Sequence, residues 1–501
     1  MKQKSFILIF FLLHQICSFS QGSIRLTLDD ALELAGEQSL QTFLNKHYYM
    51  ADYWAYRSYR ADYLPSVNLQ ATPLNYSNAS QLRYNSSSRT DEFIRTETLR
   101  SDLNLNVSQK VALTGGTFFV QSELGRIENF GLNEYTQYSS RPFRIGYNQE
   151  LFGFNAMKWQ RKIEPLKFEK AKLEYLQSTE NMHLTTVRHY FGLLSAHVQM
   201  EIARGNISNT ENLLQVANRR FELGTVTREE LLDLRLSHNN AIIDLQQAKL
   251  NHREAKENLL NFLMLPIDVD VEVFVPENIP VEEIDVQKVL EKALANNPEI
   301  LQLEQNILEG QRNVEQANRA RHFSADVNLS YGISKDDGFV GQNGSLSNVY
   351  SPEFDNYQQV RVGVNIPILD WGRNRGQYEM AKSRYHIAQV ASQQSLQQFN
   401  QNAVTRAITF NIQKSRLESA ALSDTLANES YELTMTRFKN GQVDVLRLTS
   451  SQRAKDNARL QYINALSEYW NNYFYLRRLT LYDFAKNEDI VFNEDELLNI
   501  R

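Results

Sequence analysis

Six segments of the chain alternate apolar and polar residues with a strict period of two. They are Val67-Leu69-Ala71, Leu103-Leu105-Val107, Phe118-Val120, Phe143-Ile145-Tyr147, Val327-Leu329-Tyr331-Ile333 and Val360-Val362-Val364-Ile366-Ile368. Apart from Phe119 and Pro367, the residues between them are polar or glycine, such as Asn68, Asn104, Arg144, Asn328 and Arg361. Such alternation predicts strands with one dry face and one wet face. Elsewhere the period changes. The series Leu231, Leu234, His238, Ala241, Leu245, Ala248, His252, Ala255, Leu259, Phe262 advances in steps of three and four. So does Leu448, Ser451, Lys455, Ala458, Tyr462, Ala465, Tyr469, Asn472, Leu476, Leu479. A sustained seven-residue repeat predicts antiparallel coiled-coil packing. The polar members predict a partly wet seam, and packing is the reading favoured for His238 and His252.

The helical pattern occurs twice without a gap. Asn148 to Leu265 lies over Asn365 to Tyr482 at a constant offset of 217. The clearest match is Arg220-Phe221-x-x-Gly224-x-Val226 against Arg437-Phe438-x-x-Gly441-x-Val443. Surface side chains drift freely, but an insertion rotates a helix by about 100° and shifts it by about 1.5 Å per residue. Two hairpins held to one length are expected to end in one plane of an assembly. A shorter repeat precedes each copy: Leu28–Leu40 matches Val286–Pro298 at offset 258.

These patterns divide the chain as follows. A first repeat over 21–264 carries a helix at about 27–63 and a strand region at about 66–152. Its helical hairpin covers about 155–264, with a tip at 223–227. A connector over 265–285, rich in Val, Asp, Glu and Pro, reads as irregular or strand-like. The second repeat, 286–484, has a helix at about 286–321 and strands at about 326–334 and 358–368. Its hairpin covers about 372–482, with a tip at 440–444, and a tail follows over 485–501. The stretches Ser77–Arg100 and Lys335–Tyr357, rich in Ser, Asn, Asp and Gly, read as outer loops. Leu113-Thr-Gly-Gly116 reads as a tight turn. Pro165, near the start of the first long helix, marks a possible kink site.

The N-terminus adds a destination. Lys2 and Lys4 precede an apolar run from Phe6 to Leu13 and then Ser18-Phe19-Ser20. This is an export signal over 1–20, too short to span a bilayer. Cys17 is the chain's one cysteine; it is an alternative lipidation point, though His14-Gln15-Ile16 makes a poor lipoprotein signal. Cleavage after Ser20 leaves no thiol for disulfides, catalysis or metal binding. It also takes Lys2 and Lys4 from a chain of formal net charge −6, and the more acidic remainder argues against nucleic acid. Only 10 Pro and 20 Gly interrupt 501 residues, which favours long elements. No later apolar run reaches membrane-helix length, so a membrane crossing requires a closed β-barrel. A soluble sandwich shows the same alternation. The export signal, the segment lengths and Tyr76, Tyr84, Tyr135, Tyr138, Tyr350 and Tyr357 near segment ends favour a barrel with aromatic girdles.

Leu28-Asp-Asp-Ala-Leu32, Asn296-Asn297-Pro298-Glu299, Ile366-Pro-Ile-Leu-Asp-Trp-Gly-Arg373 and the two Arg-Phe-x-x-Gly tips together resemble the TolC family of outer-membrane efflux proteins. The resemblance covers nearly the whole mature chain. It implies a mainly α fold with a transmembrane β-barrel portion: long antiparallel coiled-coil hairpins plus strands, two structural repeats per protomer, and a trimeric α/β-barrel. It also implies a homotrimer in outer-membrane lipid whose tips meet a periplasmic adaptor protein and an inner-membrane transporter. The family has two strands per half, whereas the first half here shows four alternating segments. The surplus hairpin, about 101–124, is expected to sit as an appendage to a twelve-stranded barrel rather than inside an eighteen-stranded one. Arg373 and Arg375 after Trp371 are expected at the membrane–periplasm boundary.

Candidate residues follow from the tips. Gly224 and Gly441 supply the left-handed residue at which a helix reverses. The resemblance adds adaptor docking through Leu223, Gly224, Thr225 and Val226, and through Asn440, Gly441, Gln442 and Val443. Glu229, Glu230 and Asp233 would form a carboxylate ring in a trimer, or else favour the helix N-terminus. No nucleophile–base set, His-Glu-x-x-His motif, P-loop or dinucleotide glycine pattern occurs, so neither an enzyme nor a cofactor is expected. The expected function is a passive outer-membrane duct of a tripartite efflux or secretion system. The alternatives are a barrel-anchored structural or adhesive coiled-coil protein and, more remotely, a periplasmic hydrolase.

Overall fold

The computed structural model describes residues 24–85, 88–130, 134–276, 279, 283–336, 338–342, 345–349 and 353–494. The export signal with Cys17, Tyr350 and the end of the tail lie outside the described residues. In chain order the elements are β1 (Ile24–Leu26), α1 (Leu28–Gln38), α2 (Leu40–Ala61), β2 (Ser66–Asn85), β3 (Thr90–Lys110), β4 (Thr117–Phe130) and β5 (Tyr135–Leu151). Then follow α3 (Ala156–Glu222), α4 (Arg228–Phe262), β6 (Val271–Val273), α5 (Val286–Asn296) and α6 (Pro298–Arg319). The chain continues through β7 (Ser324–Asp336), β8 (Gly338–Gln342), β9 (Ser345–Val349), β10 (Asp355–Asn365), α7 (Arg373–Lys439), α8 (Val445–Thr480), β11 (Tyr482–Asp483) and β12 (Glu488–Asp489).

The helices expected over 27–63 and 286–321 are each two helices, broken at equivalent places. Ser39 and Asn297, 258 apart, are both extended and buried. Ser39 Oγ accepts from Thr42 N and Asn297 Oδ1 from Glu299 N, so each break recaps the next helix. Pro298 fits the first turn of α6, where no amide is needed. α3 and α7 each run 67 residues, roughly 100 Å at 1.5 Å per residue. Both their ends keep the offset of 217. α3 continues unbroken through Pro165.

The chain separates into two compact units. Asp52–Glu169 and Gln302–Gln394 form the first. It holds one antiparallel sheet of six strands in the order β10-β7-β5-β4-β3-β2. The surplus hairpin is therefore inside the sheet, and the expected appendage is corrected. β3 pairs with β2 on one side and β4 on the other, and β4 pairs with β5. The reason is register: Val67 faces Val107, Val107 faces Val120, and Val120 faces Ile145. This register keeps the alternating apolar residues on one face, and a slip of one residue would turn a strand's apolar set to the other. That face is uncovered in the protomer, with Val67, Leu69, Leu103, Leu105, Val360 and Val362 exposed. Asn68, Asn106, Gln121 and Arg144 form a row on the other face. Phe119 also lies on this polar face, buried against Gly146 and 5.6 Å beneath the Arg144 guanidinium.

Two further corrections concern this sheet. Ser77–Arg100 is not a loop; Ser77 pairs with Thr98 and the ladder continues to Asn85 and Thr90. Cross-strand bonds hold it, including Tyr76 Oη to Glu97 at 2.6 Å and Arg95 Nε to Asn78 at 2.9 Å. Tyr76 consequently lies mid-strand rather than at an end. Lys335–Tyr357 likewise contains β8 paired with β9, and β10 ends at Asn365, before Ile366 and Ile368.

The second unit comprises the residues up to Ala51, Lys170–Leu301 and those from Ser395 on. β1 and β6 pair in parallel, so the connector is a strand in part. Tyr190 Oη lies 2.7 Å from Phe274 O and 3.2 Å from Leu26 O, tying α3 to that pair. The core joins Val187, Leu193 and Leu194 of α3 to Phe410 of α7 and Tyr469 and Leu476 of α8. Every position of the two predicted seams is buried or half-buried.

Candidate functional site

The two hairpin tips are built alike, bond for bond. At the first, Gly224 N donates to Phe221 O at 3.0 Å and Thr225 N to Arg220 O at 2.9 Å. At the second, Gly441 N donates to Phe438 O at 2.9 Å and Gln442 N to Arg437 O at 2.9 Å. Gly224 and Gly441 have φ of 71° and 75°, the left-handed turn that satisfies the last helix carbonyls. Thr227 and Asp444 then cap α4 and α8, again 217 apart. Leu223, Gly224, Thr225, Asn440, Gly441 and Gln442 are exposed, and Val226 and Val443 are half-buried.

One residue brings the tips together. Arg220 donates through Nη2 to Phe438 O and Lys439 O, both at 3.1 Å, and its guanidinium lies 5.2 Å from the Phe438 ring. A charged donor thus adds to the bonding of the carbonyls at the C-terminus of α7, where the helix dipole favours a cation. Beneath it, Leu213, Ala217, Leu231, Leu234, Tyr431, Phe438, Val445 and Leu448 form a small core of their own.

The three candidate acids are not equivalent. Glu230 closes a capping box, accepting from Thr227 N at 2.8 Å and from Thr227 Oγ1 at 3.0 Å. Its carboxylate is committed to the helix start. Glu229 and Asp233 are exposed. Among the described residues no group of three or more His, Cys, Asp or Glu side chains could hold a metal ion.

Further from the tips, α3 and α8 are joined by polar pairs. Asn206 donates to Asp456 at 3.0 Å and accepts from Gln452. Asn206 and Asp456 line a groove of about 830 Å³ with His197, Asp424, Lys455 and Arg459. Burial pushes the Asp456 carboxyl above its ordinary range, against the opposing hydrogen bond from Asn206. Lower down, Glu180 of α3, only 2% exposed, accepts from Arg477 of α8 at 2.9 Å. With the hairpin partners this places the helices in the order α4-α3-α8-α7. The two outermost helices carry exposed apolar residues at heptad spacing: Leu236, Ile243 and Leu250 on α4, and Leu426 and Leu433 with Ile412 on α7. The sequence reading overlooked both this flanking pattern and the role of Arg220. Both were legible, as a second seven-residue spacing and as the one arginine in each duplicated motif.

The profile of the outer membrane efflux protein family matches residues 119–263 and 289–480. The chain belongs to that family. The match takes in β5, β7, β10 and all but the first residues of β4, together with both helical hairpins, and leaves β2 and β3 outside it. No curated protein sequence matches the chain. Among solved structures, the CmeC outer membrane channel of Campylobacter jejuni superposes with a TM-score of 0.65 at 15% identity, over 93% of this chain and 87% of that one. A membrane protein from Pseudomonas aeruginosa gives 0.63 at 14%, over 90% of each chain. The outer membrane protein VceC of Vibrio cholerae gives 0.61 at 12%, over 93% and 97%. This outer membrane efflux protein thus has the mainly helical fold with a β-sheet portion of the TolC-like channels. It resides in the outer membrane of a Gram-negative bacterium and is not an enzyme.

Proposed function

We propose that this efflux protein is a passive homotrimeric duct, and that it works with a periplasmic adaptor and an inner-membrane transporter. One observation carries the reading: both units of the protomer are open at both flanks. Among the described residues the sheet ends in unpaired edges at β2 and β10, and its apolar face is uncovered. Open edges are not tolerated in lipid. β2 and β10 run in opposite directions because they are the two ends of an antiparallel sheet of six strands, so β10 of one copy can pair with β2 of the next. That contact is head-to-tail and closes a ring. Three copies then make eighteen strands, a size at which barrels hold an aqueous channel. The exposed heptads on α4 of one copy and α7 of its neighbour pack together in this reading and complete a tunnel of helices. Arg373 and Arg375 then mark its junction with the membrane.

The tips at Leu223–Val226 and Asn440–Val443 are the adaptor-docking surface in this reading. Glu229 and Asp233, tripled, give the entrance its negative charge; Glu230 caps its helix instead. Native mass spectrometry of the detergent-extracted protein, with cross-linking in intact envelopes, tests the proposal. Three copies and an adaptor cross-link lost in Leu223→Asp with Gln442→Asp support it. A monomer, or a cross-link indifferent to both substitutions, contradicts it.

A further inference from the structure

The tip hydrogen bonds of the two turns occur in both repeats, but the arginine bridge occurs once. Arg220 lies over Phe438 and bonds the carbonyls of residues 438 and 439. Shifted by 217 positions, the same contact joins Arg437 to the carbonyls of Phe221 and Glu222. Within the protomer that contact is not made. The Arg437 guanidinium is exposed and has no partner among the described residues. Phe221 is 42% exposed, whereas its counterpart Phe438 is 2% exposed. Both halves of a bridge are present and unused.

We propose that Arg437 of one protomer makes this bridge to the next, donating to the carbonyls of its Phe221 and Glu222 and covering its Phe221 ring. The inference rests on the trimeric reading. The helix order α4-α3-α8-α7 puts α7 beside α4 of the following copy, and α3 of that copy directly beyond. This is the relation α3 has to α8 and α7 inside the protomer. Six arginine bridges then alternate around the tips, three within chains and three between them. Only the Arg437 set must break for protomers to part, so this set holds the closed state of the entrance. The chemistry suits that use: two charge-assisted bonds to helix-terminal carbonyls are strong when made, and every group involved can be hydrated when they open.

The test is thiol cross-linking in the full-length protein carrying Cys17→Ser, which removes its one native cysteine. Arg437→Cys with Glu222→Cys is treated with a bifunctional thiol linker as long as an arginine side chain. Covalent dimers and trimers on a denaturing gel are expected. Arg220→Cys with Lys439→Cys is the internal control and should give only intrachain links. Monomer alone from the first pair, while native mass spectrometry shows a trimer, overturns the bridge and leaves the trimer standing. Absence of a trimer by native mass overturns the assembly itself. Arg437→Ala should also lengthen channel open times at least tenfold relative to Arg437→Lys, which keeps the charge. Equal open times in the two overturn the role in closure.

Discussion

Arg477 offers the sharpest energetic prediction. Its Nη2 lies 2.9 Å from Glu180 Oε1 and its Nη1 3.2 Å from Asp483 Oδ2, with side-chain exposures of 17%, 2% and 8% respectively. The guanidinium also lies 5.2 Å from the Phe474 ring. Arg477→Met keeps the volume and removes the charge. Asp483 retains Tyr473 Oη at 2.9 Å and the amide of Ala485 at 3.0 Å. Among the described residues Glu180 retains only His183, at 3.3 Å. Removing one partner of a buried ion pair costs about 3–5 kcal/mol. Partial exposure of Arg477 favours the lower end, about 3 kcal/mol. Because unfolding of an outer-membrane protein is not a reversible two-state process, the assay is hydrogen exchange of amides 473–490, which reads local opening. About 3 kcal/mol corresponds to exchange faster by roughly 100-fold. Glu180→Leu with Arg477→Met replaces the pair by apolar groups and should recover most of that loss. Less than a threefold change in the single variant, or a double variant that exchanges faster still, refutes the reasoning. The pH dependence has a defined sign. Burial alone would push Asp483 up, but Arg477, Tyr473 and two backbone amides outweigh it and hold the carboxyl below its ordinary range. Stability from this site is present above the ordinary carboxylate range and is lost as pH falls through the depressed value. Arg477→Met should flatten that acid loss.

Three further outcomes follow from the same structure. Asp456→Asn should raise the melting temperature at neutral pH, because burial raises the folded-state pKa and the ionised form therefore costs stability. The gain should vanish at about pH 3, where the carboxyl is protonated in both states. Gly146→Ala should block barrel assembly, scored as loss of heat-modifiable mobility on gels, since an added Cβ would lie 2.3 Å from the Phe119 ring and 2.6 Å from Leu329 O. Gly224→Ala and Gly441→Ala should each cost about 1–2 kcal/mol from the left-handed backbone, seen as faster exchange confined to the tip amides.

Much of this architecture was readable from spacing. The seven-residue seams and the constant offset required equal hairpins, and α3 and α7 are the same length to the residue. The alternating segments named all six strands of the main sheet. Their pairing was not legible. The polar composition of 77–100 resembles a loop, and only the cross-strand partners at 90–98 show it to be a strand. The surplus hairpin was misplaced for a related reason: sheet membership is a property of edges, and edges have no local signature. The breaks at Ser39 and Asn297 were half legible, since Pro298 marks one and nothing marks the other. At the tips, the glycines and caps followed from turn chemistry. The division among the acids was legible too, in the Thr227-x-x-Glu230 spacing of a capping box, but the reading of all three as one ring passed over it.

The central claim is a water-filled path through the outer membrane, closed at the helical tips. Single-channel recording of the purified protein in planar bilayers tests it most directly, comparing the natural chain with Arg437→Ala. Brief, rare openings in the first and long-lived openings of the same conductance in the second are the result expected of a duct gated at its tips. A protein that inserts as a trimer yet conducts in neither form would contradict the account.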